Sequence, residues 1–224
     1  MVQCSIQSEC RDWVNCVRAC GDDNIQCPSF CGFYYQSELI NKTNLCLFES
    51  DCIDLGFDQY QDYNPEGRPS LTLDGIDGNY WFAASYGGDH IFRYDCQKFQ
   101  FKEVHANRLN VRFSVPLTKD GQTKLTETEG SFQWIDDGAV EVKYDNFVGY
   151  HELWYIAHKS EVGFLAHVCF TKGGVCHDYG AVLLAKKPLN SWSVAQTQGL
   201  AADLKGFYGL AIEDLVPTGV DGCQ

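Results

Sequence analysis

The fold class that this sequence predicts is mainly β: an eight-stranded antiparallel barrel preceded by a small disulfide-stapled helical module. Three observations predict it. Between Gly78 and Leu184, eight short strand-like runs follow one another, at 80–86, 92–101, 108–115, 130–135, 139–144, 150–158, 163–171 and 179–184. Turn-forming groups separate them, among them Gly87-Gly88-Asp89, Lys119-Asp120-Gly121, Asp136-Asp137-Gly138 and Lys172-Gly173-Gly174, so the runs read as a meander of hairpins. Eight of the twelve cysteines crowd into the first 52 residues, ahead of the runs.

Eight antiparallel strands can close on themselves and leave room for one small ligand or its end, the architecture of a lipocalin-type barrel. A β-sandwich would use a similar number of strands, and pattern alone leaves it open. The expected organisation is a cysteine-rich helical module over 1–57, a polar linker over 58–72 with two prolines and a glycine, the barrel over 73–186, and a C-terminal helix and tail over 187–224 tethered to the barrel.

Composition narrows the function. An apolar share of 45% and an aromatic share of 14% support a packed core and argue against disorder. No run approaches the roughly 18 apolar residues of a membrane-spanning helix. No apolar leader precedes Cys4, and the start reads as that of a trimmed mature chain. A formal charge of -13 leaves no basic stripe for phosphates, which argues against nucleic acid. His90, His105, His151, His158, His167 and His177 would gain charge in acid while carboxylates begin to lose theirs. That opens a pH-dependent association with a membrane or partner; solvated surface charge is the plainer account.

The first cysteines are Cys4, Cys10, Cys16, Cys20, Cys27, Cys31, Cys46 and Cys52, a density that belongs to an oxidising compartment. Cys16 and Cys20, like Cys27 and Cys31, are spaced i, i+4 and share a helical face. An antiparallel helix pair turning at Gly21-Asp22-Asp23-Asn24 brings Cys16 opposite Cys31 and Cys20 opposite Cys27. Cys46 and Cys52 are expected to close a local loop; Cys4 pairs with Cys10, or both have partners further upstream. Zinc sites favour closer cysteine pairs and often add histidine, and no histidine precedes His90, so no metal is expected.

Strand parity selects the site candidates. In the second run Arg93, Asp95, Gln97, Phe99 and Phe101 share a face; in the sixth, Tyr150, Glu152, Trp154 and Ile156 do. Apolar residues line both faces, so parity alone does not say which looks inward. If Glu152 faces the lumen between Tyr150 and Trp154, desolvation favours its neutral form, and Asp95 on the same wall would add repulsion. A protonated acid in an apolar pocket can donate to a substrate oxygen. Cys96 would then point outward within reach of Cys223, and Cys169 and Cys176 would bridge their hairpin. The segment 193–215 reads as a helix across the sheet, weakened by Gly199 and Gly206.

The cysteine spacing from Cys4 to Cys52, the run Tyr94-Asp95-Cys96-Gln97, the run Tyr150-His151-Glu152-Leu153-Trp154-Tyr155-Ile156 and Gly180-Ala181-Val182 together resemble the violaxanthin de-epoxidases and their de-epoxidase-like relatives of plastids. The resemblance implies a lipocalin barrel in the plastid, in the thylakoid lumen, with a carotenoid as substrate. It implies acid catalysis by Glu152, where the family carries an aspartate, with Asp95 and Gln97 on the active-site wall. Tyr150, Trp154 and Phe170 would line the substrate. Phe170 stands where the family has a tyrosine, and Tyr80 where lipocalins have tryptophan.

Two outcomes follow from protonating a 5,6-epoxide of the violaxanthin type. A de-epoxidase uses ascorbate and loses water. A tautomerase removes a chain proton, giving an allenic xanthophyll such as neoxanthin, and needs no cofactor; His151, His167 or Asp95 could serve as its base. A carotenoid or lipid carrier without chemistry is the alternative from a different class.

Overall fold

A computed structural model of the chain describes residues 8–20, 26–49, 71–87, 94–105, 107–135, 138–145, 151–172, 175–220 and 223. The expected linker lies almost wholly outside them, as do Cys4, Cys52 and Tyr150.

Three helices come first: α1 (Ser8–Arg18), α2 (Gln26–Tyr34) and α3 (Glu38–Glu49). On α1, Cys10, Trp13 and Cys16 recur every three residues and are all buried, forming with Cys31 and Ile40 a small core. The expected bridges Cys16–Cys31 and Cys20–Cys27 are both present. They lock α1 to α2 where the core is too small to do so unaided. Cys10 is also disulfide-bonded. The side chain of Cys46, and with it the expected Cys46–Cys52 loop, lies outside them too. Helix α3, which was not expected, starts at Ser37, whose hydroxyl accepts from the Ile40 N–H at 3.3 Å.

The barrel strands are β1 (Gly78–Tyr86), β2 (Lys98–His105), β3 (Arg108–Lys119), β4 (Gln122–Trp134), β5 (Val140–Tyr144), β6 (His151–Ser160), β7 (Gly163–Lys172) and β8 (Val175–Ala185). Each pairs antiparallel with the next, and β1 pairs with both β8 and β2, which closes the barrel. The sandwich is thereby excluded. Closure demands close backbone approaches. At Gly180, with φ +93°, a Cβ would stand 2.0 Å from the Tyr86 carbonyl oxygen, and at Gly130 one would stand 2.1 Å from that of Lys143. Glycine is required at both.

Inside, aromatic rings meet edge to face from the floor upward. Tyr80 touches Phe101 (5.5 Å between centroids) and Phe164 (5.3 Å), Phe101 touches Phe132 (5.1 Å), and Phe132 touches Trp154 (5.0 Å). Lys186 sits over the Tyr80 ring at 5.0 Å and closes the bottom.

Helix α4 (Val194–Tyr208) lies across the outer face, as expected. Ser193 and Gln196 form a capping box, and Gly209 ends the helix in the left-handed conformation, which offsets Gly199 and Gly206 in its interior. Leu200 and Leu204 pack on Leu165 and Leu183, and the buried His158 meets Asp203 across 2.6 Å.

The second strand departs from expectation. It was read as 92–101 but begins at Lys98, because Cys96 takes φ 56° and residues 94–97 turn. The edge of β1 left open is taken by β9 (Val216–Pro217), paired to Ala84 and Ser85. Thr218 then donates its N–H to the Ala83 carbonyl at 3.0 Å and its hydroxyl to that of Phe82. The Gly219 N–H donates to Asp95 Oδ1 at 2.8 Å, its carbonyl accepts from the Cys96 N–H at 2.9 Å, and Cys96 is bonded to Cys223. Asp95 is exposed and holds the tail. The expectation that it shares the inner wall with Glu152 is corrected, since strand alternation does not extend into a turn.

Asp95→Ala should cost about 1 kcal/mol through loss of the tail hydrogen bond. Gly219→Ala should cost a similar amount, about 1 kcal/mol, because a Cβ there would lie 2.4 Å from Asp95 Oδ1 and turn the carboxylate off its bond. Urea unfolding of both variants checks this, and equal stability of Gly219→Ala and wild type would remove the tail from the account.

Candidate active site

The site is built at the upper end of the barrel. On β6 the alternation sends Glu152, Trp154 and Ile156 inward, and the register pairs Glu152 with Val142 on β5 and Phe170 on β7. Val142 and Ile156 are fully buried in the core, which fixes the face left open by parity. Glu152 is 4% exposed, a carboxyl group enclosed in an apolar lumen. Its Oε2 accepts the Trp154 indole N–H at 2.7 Å. The two residues are neighbours on one face, and the indole supplies a directed donor that water would otherwise supply.

Tyr144, at the end of β5 and in parity with Val142, is the functional candidate that sequence reasoning missed. It is half-buried as a residue and packs on Phe113 at 6.4 Å. Burial of its hydroxyl, and then the negative charge of Glu152 beside it, push the phenol well above its ordinary range. It therefore stays a neutral donor throughout the physiological range.

Gln97 is 1% exposed, in parity with Phe99 and Phe101, and its Oε1 accepts the Tyr94 N–H at 3.4 Å. The Tyr94 hydroxyl is enclosed without a hydrogen-bond partner among the described residues, and that enclosure raises its titration well beyond the ordinary tyrosine range. Over this end lies α2. Phe33 joins the barrel core, 5.9 Å from Phe113 and 6.2 Å from Tyr94. The long β3–β4 hairpin grips the end of the helix: Lys124 Nζ donates to the Tyr34 carbonyl at 2.8 Å and Thr126 Oγ1 to that of Phe33 at 3.2 Å.

The other expected residues divide. Trp154 is where the sequence put it, with Glu152. Phe170 is opposite Glu152 in register, its side chain outside the described atoms, and Tyr150 lies outside the described residues altogether. Cys169 is disulfide-bonded, while the side chain of its expected partner Cys176 is not described. None of the three suggested bases joins Glu152. Asp95 faces the tail and accepts the Gly219 N–H, His151 points outward with Nδ1 3.6 Å from Glu141, and His167 is stacked on Tyr208 beneath α4 at 5.5 Å. For both histidines the reason is the same alternation that turns Glu152 inward.

A barrel closed at the floor, with an enclosed acid and neutral hydroxyls at the other end, can hold the end of an apolar ligand and donate protons to an oxygen on it. Among solved structures the chain is similar to lobster apocrustacyanin A1 (11% identity, TM-score 0.50, 65% of this chain and 77% of that one). It is likewise similar to insecticyanin of the tobacco hornworm Manduca sexta (14% identity, TM-score 0.52, 74% of this chain and 91% of that one). These likenesses show the lipocalin fold alone. No curated protein matches the sequence. The family model described as the VDE lipocalin domain matches residues 1–208, and the chain therefore belongs to the violaxanthin de-epoxidase family.

Proposed function

We propose that this protein opens the 5,6-epoxide of a violaxanthin-type carotenoid by acid catalysis in the plastid thylakoid lumen, with Glu152 as the proton donor. The observation that carries the reading is the enclosure of that carboxyl group at the mouth of an aromatic lumen. Removal from water works against a bare carboxylate, while the Trp154 N–H works for it. Un-ionised Glu152 donates its proton to the epoxide oxygen as the strained C–O bond breaks, and the cation left on carbon is spread along the polyene.

The same residue can finish the reaction. Its carboxylate takes the proton from the neighbouring chain carbon, leaving an allene and a hydroxyl group, so that atoms and charge balance with no external reductant. A route that closes on Glu152 alone and needs no reductant is the ground on which the tautomerase is preferred here to the ascorbate-dependent de-epoxidase. Tyr144 and Tyr94 carry the hydroxyl groups proposed to hold the ring oxygens. A carrier without chemistry would use the same lumen and leave the acid idle.

Incubation with violaxanthin in mild acid, with and without ascorbate, is expected to yield an isomeric allenic product in both tubes. Loss of oxygen only with ascorbate would assign the de-epoxidase, and bound, unchanged pigment the carrier. Glu152→Gln should lower turnover by at least about 100-fold, and full activity in that variant would remove the acid from the mechanism. Trp154→Phe takes away the hydrogen bond that favours the charged carboxylate. The alkaline limb of the pH–rate profile, where the acid loses its proton, should therefore move to higher pH, read from initial rates across the profile.

A further inference from the structure

Helices α1 and α2 carry Cys16/Cys20 and Cys27/Cys31, two i, i+4 pairs that face one another. The two bridges they form lie against each other. Cys20 Sγ is 3.9 Å from Cys31 Sγ although the two are not bonded, and the Sγ atoms of Cys20, Cys27 and Cys31 all fall within 4.8 Å of one another. Cys16 is bonded to Cys31, so a fourth sulfur adjoins these three.

The geometry points to a second use for these sulfurs: we infer that, once reduced, Cys16, Cys20, Cys27 and Cys31 bind one Zn²⁺ as a tetrathiolate. A tetrahedral zinc site with Zn–S bonds of about 2.3 Å has sulfurs about 3.8 Å apart along each edge. The separation of Cys20 and Cys31 already matches such an edge. The bonded pairs must part, and Cys16, which adjoins the other three through Cys31, must turn its thiol toward them. Each disulfide takes two electrons and two protons from a dithiol, which leaves as its own disulfide. The four thiols then lose their protons to solvent as the metal binds. Cys31 is buried and precedes Phe33 by two residues, so the metal would hold in place the helix that covers the barrel mouth. The module would exchange one cross-link for another without releasing its cap.

The full-length protein, reduced with a phosphine and desalted without oxygen, should take up one equivalent of Zn²⁺. Co²⁺ in its place should give the intense visible absorption of a tetrahedral thiolate site, and the oxidised protein should give neither. Alkylation followed by peptide mass spectrometry reads out the site directly. Zinc should protect Cys16, Cys20, Cys27 and Cys31 at least about tenfold against iodoacetamide, while Cys96, Cys169, Cys176 and Cys223 react as they do without metal. Equal alkylation of the four with and without zinc, or protection of a different set, overturns the inference. The double variant Cys20→Ser, Cys27→Ser should lose the cobalt spectrum; if it fails to fold, the alkylation pattern of the wild-type chain still decides.

Discussion

A carboxyl group taken out of water is costly unless something answers it, and the upper half of this barrel is arranged around that constraint. Glu152 is reached by the indole of Trp154, faced by Tyr144 and roofed by the aromatic face of α2 through Phe33 and Phe113. The rings below it, from Trp154 down to Tyr80, leave it no polar company from the floor. The helical module, otherwise a small stapled appendage, acquires a purpose from this: without Phe33 the mouth would be open to solvent.

The same economy is visible at the seam of the barrel. Strand β1 is shared by β8 along most of its length, by β2 at its start and by β9 near its end, because Cys96 turns the chain before β2 can run the full height. The gap is filled by the backbone of residues 216–219 of the tail, with Asp95 and the Cys96–Cys223 bridge as its fastenings. An open strand edge would invite pairing with other chains, and the tail covers it.

Much of this was legible in the sequence. Hairpin turns at Lys119-Asp120-Gly121 and strand runs between Gly78 and Leu184 gave the barrel, and two i, i+4 cysteine pairs gave both bridges of the helical hairpin. The inward turn of Glu152 came from a family resemblance, since both faces of β6 are apolar: one packs in the lumen, the other against the outer layer of Tyr155 and Cys169. Asp95 was misplaced because a left-handed residue that is not glycine leaves no mark in the sequence. Tyr144 was missed because a meander pairs β5 with β6 but does not give their register, and it is the register setting Val142 against Glu152 that brings Tyr144 near the acid.

The blocked floor carries a last implication. With Tyr80, Phe101 and Phe164 meeting under Lys186, a long rod-shaped guest has no exit opposite its entrance. Only one of its termini can be seated at a time, and the remainder must stay outside, in lipid or against another surface. On the proposed function, a symmetrical polyene would have to leave, turn around and return before its second terminus met the acid, and half-converted, lopsided product would be released first.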